Sequence, residues 1–188
     1  MRAFVAVPVA DAALREALAR PRATLSGARD LRWVQREQLH LTLRFFADLP
    51  PALADPVAEA ARAACAAASP FDLEVRGLGR FPAHGPLRVV WAGLGAGREP
   101  LAALAAALEG ELEARGFPAE ERPFAPHLTL ARARDPRGSK ENARAVAALA
   151  PSVGAFGTQR VDALVLYRSD LGAGPPVHTP LGRFPLSG

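Results

Sequence analysis

The tetrapeptide His-Leu-Thr-Leu occurs twice in the 188-residue chain, at His40–Leu43 and at His127–Leu130, and this recurrence constrains the fold more than any other feature. The chain has only four histidines, so chance repetition of a string containing one is improbable, and duplication of a segment explains it economically. The flanks agree, with LHLTLRFFADLP at Leu39 to Pro50 echoed by PHLTLARARDP at Pro126 to Pro136. The two histidines are 127 − 40 = 87 positions apart. That spacing is too long for a solenoid repeat and too short for two independent domains. It implies two half-domains that face each other across one cleft, each contributing one copy of the motif.

Side chains at i and i+2 of a strand share a face, so His40 and Thr42 point to one side while Leu41 and Leu43 point to the other. His127 and Thr129 repeat the arrangement against Leu128 and Leu130. The leucines can anchor each strand in its half-domain core and leave four polar groups to converge on the cleft. A single His-x-Thr is a weak signal, because a lone histidine among apolar residues is more often a satisfied core or surface residue. Duplication alone would preserve core leucines, but it does not account for both polar positions surviving. Histidine exchanges protons near neutral pH, its free pKa being about 6.5. Two of them suit a phosphodiester, where a base deprotonates the attacking water and an acid protonates the departing ribose oxygen. Thr42 and Thr129 would donate to the phosphoryl oxygens. The scheme needs no metal or other cofactor, and zinc held by His40 and His127 would still lack a third ligand. His84 and His178, beside Pro and Gly, read as solvent-exposed loop residues, and Trp33 and Trp91 as core or rim. Arg44, Arg134 and Arg137 are candidate groove-lining cations, although a solvated face is the commoner fate of any one of them.

Around the motifs the chain alternates strand and helix signals, which indicates an α/β or α+β fold. Arg2 to Val9 reads as a buried strand, and a helix follows Asp11 with Leu14, Leu18 and Leu25 inward. Pro50, Pro51 and Asp55 open an Ala-rich helix to about Ser69, and Phe71–Leu78 and Arg88–Leu94 are strand-like. A helix runs from Gly95–Arg98 to near Gly116, Phe124–Ala133 is a strand and Ser139–Ala150 a helix. Three more strand candidates close the chain, at Val153–Arg160, Val161–Tyr167 and His178–Phe184. With 49% hydrophobic residues there is enough apolar surface for one sizeable core. The formal net charge is +4, and all but one of the 23 basic residues are Arg, whose planar fork suits phosphate. A charge this small favours an RNA terminus or a nucleotide over duplex DNA. The single cysteine, Cys65, allows no internal disulfide and reads as a buried small residue. No stretch approaches a membrane span and the start lacks a signal-peptide pattern, so a soluble, cytoplasmic monomer is expected.

The extended motifs, His40-Leu-Thr-Leu-Arg-Phe45-Phe and Pro-His127-Leu-Thr-Leu-Ala-Arg132, resemble those of the two-histidine phosphoesterase superfamily. More narrowly they are similar to the RNA 2′,3′-cyclic phosphodiesterases, also called 2′-5′ RNA ligases. The resemblance covers nearly the whole chain, from FVAVPV at the start to LGRFPL at the end. It implies a single bilobal α+β domain over residues 1–188, in which two pseudo-symmetric lobes each bring a small antiparallel sheet to a central groove, with helices outside. It also implies hydrolysis of a terminal 2′,3′-cyclic phosphate to a 2′-phosphomonoester, with reversal to 2′-5′ ligation open. Relatives with the same motifs act on ADP-ribose cyclic phosphate or 2′,5′-oligoadenylate. By the same resemblance Phe45 lies against a nucleobase and Arg132 contacts phosphate. Strand parity puts both off the His/Thr face, so each must sit past a strand end or at a bulge. The chain departs from the family pattern at Ala47, where glycine is common, and at His178, where Tyr is common. A 2′-phosphate product requires the bond to O3′ to break, so one histidine must be the acid near O3′ and the other the base near the attacking water; the near-symmetric duplication does not say which is which, and His40 is taken as the acid and His127 as the base.

Overall fold

The strand-forming segments pair into one antiparallel sheet. The computed structural model describes residues 1–27, 30–135, 137–172 and 175–188. Among these, nine strands form: β1 (Ala3–Pro8), β2 (Leu31–Trp33), β3 (His40–Phe46), β4 (Phe71–Phe81), β5 (Val89–Leu94), β6 (Leu128–Ala133), β7 (Ala155–Val161), β8 (Ala163–Asp170) and β9 (Val177–Pro185). Four α-helices accompany them, α1 (Ala12–Thr24), α2 (Ala54–Ala66), α3 (Arg98–Glu113) and α4 (Lys140–Leu149). The strand order is β7-β4-β5-β6-β3-β1-β8-β9, with β2 paired to β6. One quartet, β3-β1-β8-β9, draws on both ends of the chain, and the other, β6-β5-β4-β7, on its middle. They do not form two separate sheets. β3 and β6 join through one pair, Leu41 opposite Leu128, and β2 continues along β6 with Leu31–Trp33 against Ala131–Ala133.

Helix spacing explains how each quartet is covered. In α2 the buried residues are Val57, Ala60, Ala61, Ala64 and Cys65, and in α3 they are Leu101, Leu104, Ala105, Leu108 and Leu112. These are the i, i+3, i+4 stripes of half-buried helices. The small side chains of α2 let it pack against β8, β9 and α3 together, while α3 also reaches β3. α1 packs on β7 and α4 on β4, so each quartet receives two helices. Asp11 caps α1 by accepting from the Leu14 amide at 2.7 Å, and Ser139 caps α4 by accepting from Asn142 at 3.1 Å. Gly97 opens α3 at φ +85°, where a Cβ would lie 2.1 Å from the Asp72 carbonyl oxygen, so only glycine fits. Cys65 is fully buried, and burial raises its thiol pKa. β6 starts at Leu128 and not at Phe124, because Pro123 and Pro126 have no amide to give to a ladder. No described helix is long and apolar enough to cross a membrane.

Candidate active site

The two motifs meet at the centre of the sheet. Leu41 opposite Leu128 sets an antiparallel register in which His40 comes beside Thr129 and Thr42 beside His127. The histidines are then diagonal neighbours across the two strands. The leucine face is sealed: Leu41, Leu43, Leu128 and Leu130 are all buried, and burying each contributes about 1.5–3 kcal/mol. The His/Thr face is partly open, all four side chains being half-buried. Each ring is held the same way. His40 Nδ1 lies 2.7 Å from the Gln38 carbonyl oxygen, and His127 Nδ1 lies 2.7 Å from that of Ala125. A carbonyl can only accept, so Nδ1 carries the proton and donates it, and Nε2 of a neutral ring keeps its lone pair for chemistry.

The parity problem at Phe45 and Arg132 is solved by two matching bulges. Val5 pairs with Arg44 and Ala6 with Thr42, which leaves Leu43 as the extra residue in β3. Val90 pairs with Ala131 and Trp91 with Thr129, which leaves Leu130 as the extra residue in β6. Two successive residues of each strand therefore turn inward, Leu43 with Arg44 and Leu130 with Ala131. The alternation restarts one position late, and Phe45 and Arg132 emerge exposed on the histidine side. Arg44 is thereby removed from the groove. It is 7% exposed, on the helix side, where it donates to Glu109 Oε2 of α3 at 2.7 Å and to the Pro118 carbonyl at 2.7 Å. Burial raises the Glu109 pKa, and the Arg44 charge opposes that. Arg134 and Arg137 are exposed, and Arg137 pairs with Asp135 at 3.2 Å. His84 is exposed as well.

The surroundings of the two rings differ. Phe4 of β1 stacks on His40 with centroids 4.6 Å apart and on Tyr167 at 5.1 Å. His178 is not a loop residue: it lies in β9, half-buried, its ring edge-on to His40 at 5.4 Å and to Phe4 at 4.9 Å. It reaches this place because β9 follows β8 and β1 outward from β3, a long-range pairing that no local pattern announces. Its Nδ1 is buried without a hydrogen-bond partner, and Trp91 Nε1 is in the same condition. Burial lowers the pKa of His40 to about 4; the Gln38 hydrogen bond opposes this, and His178 and Arg132 add to it. His40 is therefore neutral at neutral pH. Burial, and then Arg2, lower the pKa of His178 too. Arg132 is exposed as a whole residue, yet partial desolvation of its guanidinium and then Arg2 pull its pKa below the usual value. His127 meets Phe81 edge-on at 5.0 Å and Trp91 at 6.4 Å. Trp33 packs partly buried against the core. A cavity of about 40 Å³, room for a single water, lies among Phe4, Gln38, His40, Tyr167 and His178. A larger one, about 500 Å³, lies between α1 and Trp33–Arg36, behind the leucine face and away from the histidine rings. Among the described residues no three His, Cys, Asp or Glu side chains gather as a metal-ligand set.

Residues 9–173 match the family model described as the 2′-5′ RNA ligase superfamily. The chain belongs to that superfamily. It is 33% identical, over 99% of its own length and 99% of the relative's, to an RNA 2′,3′-cyclic phosphodiesterase of Methanothermobacter thermautotrophicus. Among solved structures it is similar to TT0787 of Thermus thermophilus, with TM-score 0.82, 31% identity and coverage of 100% and 99% of the two chains. It is also similar to E. coli LigT complexed with 3′-AMP, with TM-score 0.79, 27% identity and coverage of 100% and 98%. The α+β architecture implied by the resemblance is the one these two solved structures share.

Proposed function

We propose that this member of the superfamily hydrolyses RNA 2′,3′-cyclic phosphate ends to 2′-phosphomonoesters by acid–base catalysis between His40 and His127. The observation that carries the reading is the diagonal His/Thr arrangement about Leu41 and Leu128, with both Nδ1 atoms tied to backbone carbonyls. A cyclic phosphate between the two rings can have water delivered from one side while O3′ leaves toward the other. Thr42 and Thr129 donate to the non-bridging oxygens, whose charge grows in the transition state. Phe45 offers an exposed aromatic face to the terminal base, and Arg132 offers a guanidinium to phosphate. The relative from M. thermautotrophicus carries the name of this activity. Since burial keeps His40 neutral at neutral pH, its charge state favours His40 as the base and His127 as the acid, the reverse of the division assigned from sequence. The protein acts as a soluble, cytoplasmic monomer and needs no metal.

A smaller substrate is the second reading, favoured by solved complexes of E. coli LigT with 3′-AMP, ATP and NADP+. The test is incubation, with chelator present, of an RNA ending in 2′,3′-cyclic phosphate and of ADP-ribose cyclic phosphate. A 2′-phosphate end formed from the RNA at the higher kcat/KM supports the proposal. Turnover of ADP-ribose cyclic phosphate alone would sink it in favour of the second reading, and dependence on added divalent ion would remove the two-histidine scheme.

A further inference from the structure

The two motif histidines share a backbone device but not their company. Beside His40 lies the cavity of about 40 Å³, walled by Phe4, Gln38, Tyr167 and His178, with room for a single water. Its walls come from β1, β8, β9 and the turn before β3, so it sits on the side of His40 away from β6 and His127. One residue pins these walls together. The Gln38 carbonyl accepts from His40 Nδ1 at 2.7 Å, and the Gln38 side-chain amide donates at 2.9 Å to the Pro176 carbonyl, two residues before His178. His178 is edge-on to His40 at 5.4 Å, and its buried Nδ1 has no partner among the described residues. Burial favours the neutral form of this ring, and a neutral imidazole keeps one nitrogen as an acceptor. The Gln38 contact leaves His40 Nε2 as a second acceptor. The aromatic neighbours of His127 offer no equivalent, since Phe81 has no polar atom and Trp91 only a donor.

We infer that this cavity seats the water that attacks phosphorus, donating one hydrogen to His40 Nε2 and the other to His178, and that His178 thereby selects water over an alcohol as nucleophile. The inference rests on the cyclic phosphodiesterase reading and sets which nucleophile it uses. Water has two hydrogens and satisfies both acceptors, whereas an alcohol has one and leaves an acceptor unpaired. In the step itself His40 Nε2 takes a proton from the water and the water oxygen bonds to phosphorus. The bond from phosphorus to O3′ breaks, and O3′ takes the proton from His127 Nε2. The products are a 2′-phosphomonoester and a 3′-hydroxyl. The 5′-hydroxyl of a second RNA, which would form a 2′-5′ link by the same displacement, is an alcohol and is disfavoured.

Competition between water and methanol tests this on an RNA ending in 2′,3′-cyclic phosphate, with mass spectrometry separating the 2′-phosphate from its methyl ester. Per mole of nucleophile, wild type should prefer water by at least about tenfold, the worth of one acceptor left unpaired. His178→Phe, which keeps an aromatic ring and removes both nitrogens, should bring that preference to within about twofold of unity. His178→Asn, whose amide oxygen can accept, should fall between. A slowdown of general origin lowers both products alike, so Thr129→Ala should be slower with an unchanged ratio. Wild type that takes methanol and water in proportion to their concentrations overturns the inference, as does a His178→Phe variant whose hydrolysis and methanolysis fall by one factor. Absence of any turnover of the cyclic phosphate removes the hydrolysis reading and the inference with it, whereas turnover with a ratio that His178 does not affect removes the inference alone.

Discussion

The depressed pKa of His40 makes a prediction about stability that does not depend on substrate. Burial takes this imidazole from 6.5 to about 4, a difference of 2.5. Each unit corresponds to about 1.4 kcal/mol, so the unfolded chain gains up to about 3 kcal/mol relative to the native state as pH falls through this window. The sign follows from which state binds the proton. Between pH 6.5 and 4 the unfolded chain takes up a proton at His40 that the native state refuses, so stability falls with pH, and above pH 6.5 the group contributes no pH dependence. At pH 5 the loss is about 2 kcal/mol. His178 is shifted in the same direction, so the wild-type curve alone would mix the two. The informative comparison is His40→Asn, whose amide can still donate to the Gln38 carbonyl but does not titrate. Urea unfolding of both proteins at pH 7.5 and pH 5 gives the difference. Whatever the gap at pH 7.5, it should move in favour of the variant by about 2 kcal/mol at pH 5. A gap that stays constant with pH would mean that His40 is not buried in its neutral form, and the charge state assigned to it in the site would fall with it.

Thr42→Ala and Thr129→Ala should each fold normally and lower kcat by about 2–4 kcal/mol of transition-state stabilisation, seen in steady-state rates on a cyclic phosphate substrate; full activity in either would refute the convergence of the two strands. Phe45→Ala should raise KM by the worth of one base stack, about 1–3 kcal/mol, and leave kcat nearly unchanged, and a collapsed kcat with constant KM would count against stacking. Arg44→Ala should cost about 1–3 kcal/mol of stability in urea by leaving the part-buried Glu109 without its partner, with no matching loss of kcat in the folded fraction. If His40 is the base, a substrate with a good leaving group at O3′ should rescue His127→Ala and leave His40→Ala slow; rescue of His40→Ala would restore the division assigned from sequence.

What the sequence could disclose was whatever depends on spacing. The two His-x-Thr pairs, the inward leucines and most strand and helix positions follow from periods of two and 3.6, which need no knowledge of neighbours. Once the resemblance had put Phe45 and Arg132 at the groove, parity pointed to the irregularities, since both could reach it only through a bulge or past a strand end. Arg44 shows the limit of the same reasoning. It shares parity with Thr42 and would line the groove in a regular strand, but the extra residue Leu43 turns it to the helix side. His178, Tyr167 and Phe4 were out of reach for another reason. They meet at His40 only because β9, β8 and β1 lie side by side, a pairing order set by tertiary packing. A departure from the family pattern at His178 was the one available signal, and it gave no position.

Duplication supplies a symmetric frame, whereas in-line hydrolysis needs two unlike sides, and the bulges help to convert one into the other. In both copies the extra residue is the third after the histidine, so the fifth after it returns to the open face. That position is Phe45 in one copy and Arg132 in the other. The backbone device is therefore shared, and a single side-chain difference at equivalent places makes one approach to the site aromatic and the other cationic. The histidines diverge in the same manner. Their Nδ1 contacts are the same, at 2.7 Å to the carbonyl two residues earlier, but His40 is enclosed by Phe4, Tyr167 and His178 while His127 has Phe81 and Trp91 beside it. Burial keeps His40 neutral well below neutral pH without altering the geometry that aims it. One scaffold thus holds two rings in matching orientation and surrounds them with different residues.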